Sequence, residues 1–217
     1  MTVGAGVRSL LKPAFKAVNN ARCRVWDLTH RVDTCGEIPL NSLDFESKSK
    51  DPGLEYQSHH PEIIRSSLLM LPIPHEDYTF VDFGCGKGRV LLIASGFKFR
   101  KIVGLELAPQ LADIAKRNVE RYRSSDQKCF DIEVMTADAT DYELGPDPQV
   151  LYFFSPFTLR LMSQILENIE ASVRRSPRDL LILFSGMMAK RDNCFGPRPQ
   201  FERLRRDRYV DLYRYRS

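Results

Sequence analysis

The spacing of apolar residues changes several times along this chain, and each change predicts an element. Between residues 5 and 31, Leu11, Phe15, Val18 and Val25 recur at intervals of four, three and seven, while Arg8, Lys12 and Lys16 form a separate basic stripe. That pattern predicts a helix with an apolar and a basic side. Residues 32–60 lose the period and carry Gly36, Pro39, Pro52 and Gly53 as breakers, so irregular chain is predicted there. Pro61 suits the first position of a helix running through Ile63, Ile64, Leu68 and Leu69 and ended by Pro72 and Pro74. From there strands and helices alternate. Strands are predicted at 79–83, 101–105, 132–135, 149–154 and 180–185, with helices at 89–95, 109–122 and 159–174. In the second of these helices Leu111, Ile114, Ala115 and Val119 share a face. Strand 180–185 is apolar throughout, which predicts a central, doubly covered position. Alternation of this kind implies a parallel sheet wrapped by right-handed crossovers. The rhythm fails after residue 185. Gly186, Gly196, Pro197 and Pro199 argue against a full helix over 186–200, and residues 201–205 and 209–215 read as an antiparallel hairpin closing the sheet edge.

Composition narrows the picture. A chain of 217 residues suffices for one domain with a full core and is short for two. Hydrophobic residues make up 43% and charged residues 28%, which excludes disordered and fibrous classes. No apolar run approaches the roughly 20 residues that span a bilayer, so no integral membrane segment is expected. The first eleven residues lack an apolar h-region and a cleavage site, which points to the cytoplasm. The five cysteines are scattered with no C-x-x-C pair, so reduced thiols are expected, with neither a zinc site nor a disulfide framework. His59 and His60 have no His or Cys neighbours in sequence to complete a metal site. Charge is uneven: residues 1–31 hold six basic residues against the single acid Asp27, and residues 190–217 hold nine basic against four acidic. Basic ends suit nucleic acid, an acidic protein or a membrane surface, and equally a plain solvated surface. The amphipathic N-terminal helix could pair with a second copy or lie on lipid.

The chemistry concentrates in Val81-Asp82-Phe83-Gly84-Cys85-Gly86-Lys87-Gly88-Arg89-Val90, between a predicted strand and a predicted helix. Three alternate glycines let backbone approach a ligand closely and adopt positive φ, more than a simple turn needs. The spacing G-x-G-x-G departs from the dinucleotide fingerprint G-x-G-x-x-G. Lys87 is followed by Gly88, not by the Ser or Thr of a P-loop. Both pyrophosphate readings therefore fit poorly. At the end of the next strand stands Glu106, about 20 residues past the glycines, where a carboxylate can accept from both hydroxyls of a ribose.

This segment resembles motif I of class I S-adenosylmethionine-dependent methyltransferases, in which an acid, here Asp82, precedes the glycines. The resemblance covers residues 55–185. It implies a Rossmann-like, doubly wound α/β domain (61–217) with a mostly parallel sheet and a C-terminal antiparallel hairpin, preceded by a helical N-terminal extension (1–60) acting as a lid. It implies S-adenosylmethionine as cofactor, held by Asp82, Gly84, Cys85, Gly86, Gly88, Glu106 and Leu107, with Asp138 and Ala139 of Thr136-Ala137-Asp138-Ala139-Thr140 on the adenine. Ser155-Pro156-Phe157 is similar to the Asn/Asp-Pro-Pro-Tyr/Phe motif of enzymes methylating nitrogen, with serine as a departure, and is the implied catalytic segment. Residues 33–40 resemble a segment of small bacterial methyltransferases of unassigned substrate. Residues 56–61 occupy the place of the cofactor-covering segment of non-SET lysine methyltransferases, where Tyr56 would cap the methionine end.

The reading from sequence is thus methyl transfer to an unidentified acceptor, with a protein or small amine nitrogen favoured and nucleic acid open. A non-catalytic adenosylmethionine-binding module, a nicotinamide oxidoreductase on the same fold and a propylamine-transfer enzyme are the rival readings. Oligomeric state has no signature in the sequence.

Overall fold

The computed structural model of the chain describes residues 21–38, 43, 56–57, 59–154, 157–186 and 188–216. Residues 21–30 form a helix (α1), followed by a two-residue antiparallel ladder of β1 (Glu37–Ile38) with β2 (Tyr56–Gln57). This ladder, in a region expected to be irregular, is too short for a period of two to register. Next come α2 (Pro61–Leu68) and a turn of 3₁₀ helix (His75–Asp77). The α/β core follows as β3 (Thr79–Phe83), α3 (Arg89–Ala94), β4 (Lys101–Glu106), α4 (Pro109–Arg121), β5 (Ile132–Thr136), β6 (Gln149–Phe154), α5 (Leu159–Arg175) and β7 (Leu180–Ser185). The chain closes with α6 (Met188–Phe195), β8 (Phe201–Arg206) and β9 (Val210–Tyr215).

Seven strands form one sheet in the order β5-β4-β3-β6-β7-β9-β8. The first five run parallel, and β9 and β8 are antiparallel, as the hairpin expectation required. Successive residues of the central strands face opposite sides of the sheet, and both sides are buried. Phe80, Tyr152, Leu181 and Leu183 meet Ile64, Leu68 and Leu91 from α2 and α3 on one face. Val81, Phe83, Phe153, Ile182 and Phe184 meet Met162, Ile165, Leu166 and Ile169 of α5 on the other. Strand β7 is buried at every position and lies inside the sheet between β6 and β9.

The expectation of no full helix over 186–200 is corrected. Eight residues, Met188–Phe195, are helical. The glycines bound this helix instead of interrupting it, since the Gly196 N–H closes onto the Asp192 carbonyl at 2.8 Å. Buried Cys194 and Phe195 anchor it, with the Phe195 ring stacked on Tyr213 at 4.0 Å.

One residue of β4 couples sheet packing to the glycine-rich loop. A Cβ at Gly104 would lie 2.5 Å from Leu91 Cδ1 and 2.8 Å from Cys85 Sγ, so α3 and the loop sit as close to β4 as a missing side chain allows. Gly104→Ala should therefore destabilise the fold by about 1–3 kcal/mol through overpacking. It would appear as a lower urea midpoint with unchanged slope. Gly145→Ala is the control, because its Cβ would make ordinary contact with Gln149 at 3.8 Å. A Gly104→Ala midpoint equal to that of the control would contradict the close-approach argument.

Candidate functional site

The sheet order reverses at β3, which lies between β4 and β6. Open α/β sheets form a crevice at the carboxyl ends of their strands at such a switch point. Asp82 and the glycine loop follow β3, Glu106 ends β4, Asp138 follows β5 and Phe157 follows β6. Parallel pairing in register places those four ends on one edge of the sheet.

The glycine loop is held by its backbone. Gly84, Gly86 and Gly88 adopt φ of 80°, 54° and 86°, values that side-chain-bearing residues rarely take. The N–H groups of Gly84 and Cys85 donate to the Leu105 carbonyl at 2.9 and 2.8 Å, and that of Gly88 to the Cys85 carbonyl at 2.9 Å. Glu106 ties the loop from the next strand: Oε2 accepts from Gly86 N–H at 2.8 Å and Oε1 from Ala108 N–H at 2.9 Å. Those two bonds orient the carboxylate and leave part of its roughly four acceptor positions for a ligand.

Asp82 is 2% exposed, and its Oδ2 has no hydrogen-bond partner among the described residues. Burial, and then the neighbouring Glu106 charge, push its pKa well above the usual carboxylate range. Burial also raises Glu106, against the backbone N–H groups that favour its charged form. Two carboxylates meet here in a desolvated loop, an arrangement that disfavours an anion and favours a cation.

Several residues that sequence reasoning passed over organise the loop from behind. Arg89 is 3% exposed. Its Nε donates to Thr34 Oγ1 at 2.7 Å, its Nη2 to Asp27 Oδ1 at 3.0 Å, and its Nη1 to Cys23 Sγ at 2.9 Å and the His59 carbonyl at 3.1 Å. Asp27 also accepts from the N–H groups of Thr34 and Cys35, both at 2.7 Å. Lys87 Nζ reaches Asp33 Oδ1 at 2.9 Å and the Cys35 carbonyl at 3.1 Å. Asn118 on α4 donates to the carbonyls of Asp33 and Lys87 and accepts from Asp33 N–H. Residues 23–35 are therefore fastened to the glycine loop by buried polar contacts. The usable signal in the sequence was Asp27, the lone acid of a basic helix, together with cations at alternate positions 87 and 89.

The other predicted positions divide. Asp138 Oδ1 accepts from Thr140 N–H at 2.9 Å and Thr140 Oγ1 at 2.7 Å, which makes it the pivot of a turn after β5. Leu107 and Ala139 are half-buried on the same edge. Phe157 packs edge-on against Phe153 with centroids 6.4 Å apart. Ser155 and Pro156 lie outside the described residues, as does the side chain of Tyr56, whose backbone pairs with Ile38. His59, read from sequence only as an unsuitable metal ligand, is a buried connector. Its Nδ1 meets the Tyr152 hydroxyl at 2.7 Å, its Nε2 meets Ser185 Oγ at 3.3 Å, and its ring stacks on Phe154 at 3.9 Å. Ser185 Oγ in turn donates to the Tyr209 carbonyl, which suits a neutral imidazole with its proton on Nε2.

Comparison with known proteins agrees with this architecture. No family model matches the sequence. Over 129 residues, or 54% of its length, the chain is 33% identical to the ribosomal protein L11 methyltransferase of Colwellia psychrerythraea, and it spans only 44% of that relative. Its fold is similar to that of a predicted N6-adenine-specific DNA methylase from Listeria monocytogenes (TM-score 0.52, 14% identity, covering 73% of this chain and 51% of that one). It is also similar to that of a SAM-dependent methyltransferase from Leishmania major (TM-score 0.52, 11% identity, covering 72% of each chain). The fold is the Rossmann-like α/β fold of class I methyltransferases, with the C-terminal antiparallel hairpin.

The His59 environment makes a prediction about stability. Burial first, then the charges of His60 and Arg89, hold its pKa in the folded protein down to about 3, against 6.5 for an ordinary histidine. Between those values the unfolded chain binds a proton that the folded chain refuses. The contribution is therefore complete above pH ~6.5 and is lost by roughly 1.4 kcal/mol per pH unit as pH falls towards 3. Urea unfolding at pH 7 and pH 5 should show His59→Gln losing about 2 kcal/mol less than wild type over that interval. Parallel pH profiles for the two proteins would refute the assignment.

Proposed function

We propose that this chain binds S-adenosylmethionine at the carboxyl edge of β3, β4 and β5 and transfers its methyl group to a nitrogen of a protein or small amine. The observation that carries the reading is Asp82, a buried carboxylate whose oxygen has no partner among the described residues, beside Glu106 and next to a loop of three positive-φ glycines of which Gly84 is exposed. A pyrophosphate at this loop would add negative charge beside two buried acids and bring no cation for the Asp82 oxygen, which disfavours a nicotinamide dinucleotide. The aminoacyl ammonium and sulfonium of adenosylmethionine bring positive charge to the same place and supply the buried oxygen with a partner.

When bound, S-adenosylmethionine supplies a methyl group already activated by its sulfonium. The protein's tasks are to bind, orient and exclude water. In this reading the backbone of residues 84–88, Cys85 included, receives the aminoacyl part, and Asp82 balances its charge. Glu106, fixed by Gly86 and Ala108, accepts from the ribose hydroxyls. Leu107, Asp138 and Ala139 flank the adenine. Ser155, Pro156 and Phe157 receive the acceptor after β6. Residues 1–60 form the covering extension, with Tyr56 towards the methionine end. Its described portion is fastened to the loop by Lys87, Arg89 and Asn118.

A protein acceptor is favoured because the curated relative is named for methylating a ribosomal protein. Nucleic acid is the weaker alternative, since many arginines of the basic C-terminal region are engaged by acids. Arg214 pairs with Asp179 at 2.6 Å, Arg206 with Asp211 at 2.8 Å, Arg198 with Glu170 at 3.1 Å, and Arg216 with Glu202.

Calorimetric titration tests the cofactor assignment. Wild type should bind S-adenosylmethionine in the micromolar range, about −8 kcal/mol. Glu106→Ala should lose about 1 kcal/mol or more with the ribose hydrogen bonds. Asp82 has a raised pKa in the free protein, and a nearby cation lowers it, so binding should release protons. The heat should vary with buffer ionisation enthalpy, and affinity should strengthen with rising pH until Asp82 ionises unaided. Asp82→Asn should abolish that proton release. Folded wild-type protein that binds neither S-adenosylmethionine nor S-adenosylhomocysteine would overturn the proposal, and binding of NAD instead would restore the oxidoreductase reading.

A further inference from the structure

Helix α1 packs one face inward and leaves apolar residues exposed on the other. Its inward positions are Cys23, Trp26, Asp27 and His30, three of them polar or ionisable, spaced three, one and three apart along one face. Asp27 is consumed by Arg89 and by the backbone of Thr34 and Cys35. Trp26 stacks on His30 at 4.3 Å, and both rings stack with Tyr122, at 6.2 and 5.4 Å. The outward face also carries apolar residues: Ala21, Val25 and Leu28 are exposed, Val25 by 62% and Leu28 by 79%. Beside them stand the exposed cations Arg22, Arg24 and Arg31. Asp27, the one acid of α1, points inward and is neutralised, and Asp33 beyond the helix pairs with Lys87, so the outward face of α1 combines apolar and positive character. Exposed Arg121 and Arg123 flank Tyr122 where α1 meets α4, with Glu120 and Asp126 as nearby acids. The sequence repeats both features upstream, with Leu11 and Val18 at seven-residue steps from Val25 and with Arg8, Lys12 and Lys16.

We infer that the outward face of α1 docks on an anionic lipid surface. The charge pattern selects among partners. A second copy of the same helix would bring Arg22 and Arg24 of each chain together across an apolar seam with no acid to offset them. A nucleic acid would use the cations but leave Val25 and Leu28 in water. An anionic membrane surface takes both, because the acyl boundary accepts the apolar side chains and the headgroups accept the arginines. This inference does not depend on the methyl-transfer reading.

Co-sedimentation of the full chain with vesicles tests it, using phosphatidylcholine alone and an equal mixture of phosphatidylcholine and phosphatidylglycerol. Wild type should partition onto the anionic vesicles and not the neutral ones, and added salt should weaken the binding. Leu28→Glu should lower partitioning at least tenfold. Arg22→Ala and Arg24→Ala should each lower it about fivefold, the equivalent of about 1 kcal/mol per surface cation. Unchanged urea midpoints in these variants would show that the fold is intact, since all three side chains are exposed. Equal partitioning to neutral vesicles, or a Leu28→Glu variant that binds as wild type does, overturns the inference. So does a lipid-free dimer in analytical ultracentrifugation that Leu28→Glu dissolves, which would make a second copy the occupant. RNA binding that needs Arg22 and Arg24 but not Leu28, without vesicle binding, overturns it in favour of nucleic acid.

Discussion

The buried guanidinium of Arg89 is the interaction on which the remainder of this structure is arranged. It is the first residue of α3, directly after the last glycine of the loop, and is nearly without solvent contact. A buried cation is tolerated only with its donors used and its charge answered. Here the answer comes from Asp27 of α1, Thr34 of the following turn, the Cys23 thiol and the His59 carbonyl, with the guanidinium 5.5 Å from the Trp26 ring centroid. Groups from α1, from the turn after it and from the residues before α2, all 30 or more positions from Arg89, therefore converge on the one helix that the glycine loop must precede. Removing either charge strands the other, and breaking such buried pairs costs about 3–5 kcal/mol. The N-terminal segment is in this sense part of the domain's interior, although it precedes the sheet.

The same loop faces an opposite electrostatic problem on its other side. Asp82 and Glu106 place two carboxylates where water is excluded, and only Glu106 has backbone N–H groups to satisfy it. The fold tolerates this because Asp82 is easily kept protonated at such a depth. A site held in that state is poised for positive charge, and a cationic ligand restores the ionised form. Lys87 and Arg89, interleaved with the glycines, point away into the N-terminal segment and so leave the ligand side negative. A phosphate-binding loop with a similar count of glycines would aim its cation at the ligand. The direction of two side chains thus separates the candidate chemistries more firmly than the glycine spacing does.

How much of this was legible in sequence follows from the range of each signal. The strand-helix alternation, the hairpin and the convergence of Asp82, Glu106, Asp138 and Phe157 could be read because local period and chain order fix them once the sheet is parallel. The helix at Met188–Phe195 was missed because glycines at 186 and 196 look like breakers until they are seen to stand outside it. The Asp27–Arg89 pair joins residues 62 apart, and no periodicity reports a contact at that separation. His59 carried a signal for its residue type and none for its partners, Tyr152 and Ser185, which lie 93 and 126 residues away.

The rigidity of that core also limits what a surface-bound α1 can do. Val25 and Leu28 are exposed while Asp27 faces inward, so a surface can reach the two apolar side chains without displacing the ion pair that abuts the loop. Moving the helix relative to the loop would expose Arg89 and Asp27 together, and it would also break the Lys87 and Asn118 contacts to Asp33. The energy available from two apolar side chains and a few arginines at an interface is comparable to that cost and does not clearly exceed it. Attachment through α1 therefore acts on placement. It would fix which way the carboxyl edge of the sheet faces relative to the surface, leaving the geometry of the glycine loop as it is in solution. A ligand site tied this tightly to its own support is oriented by a surface and not switched by it.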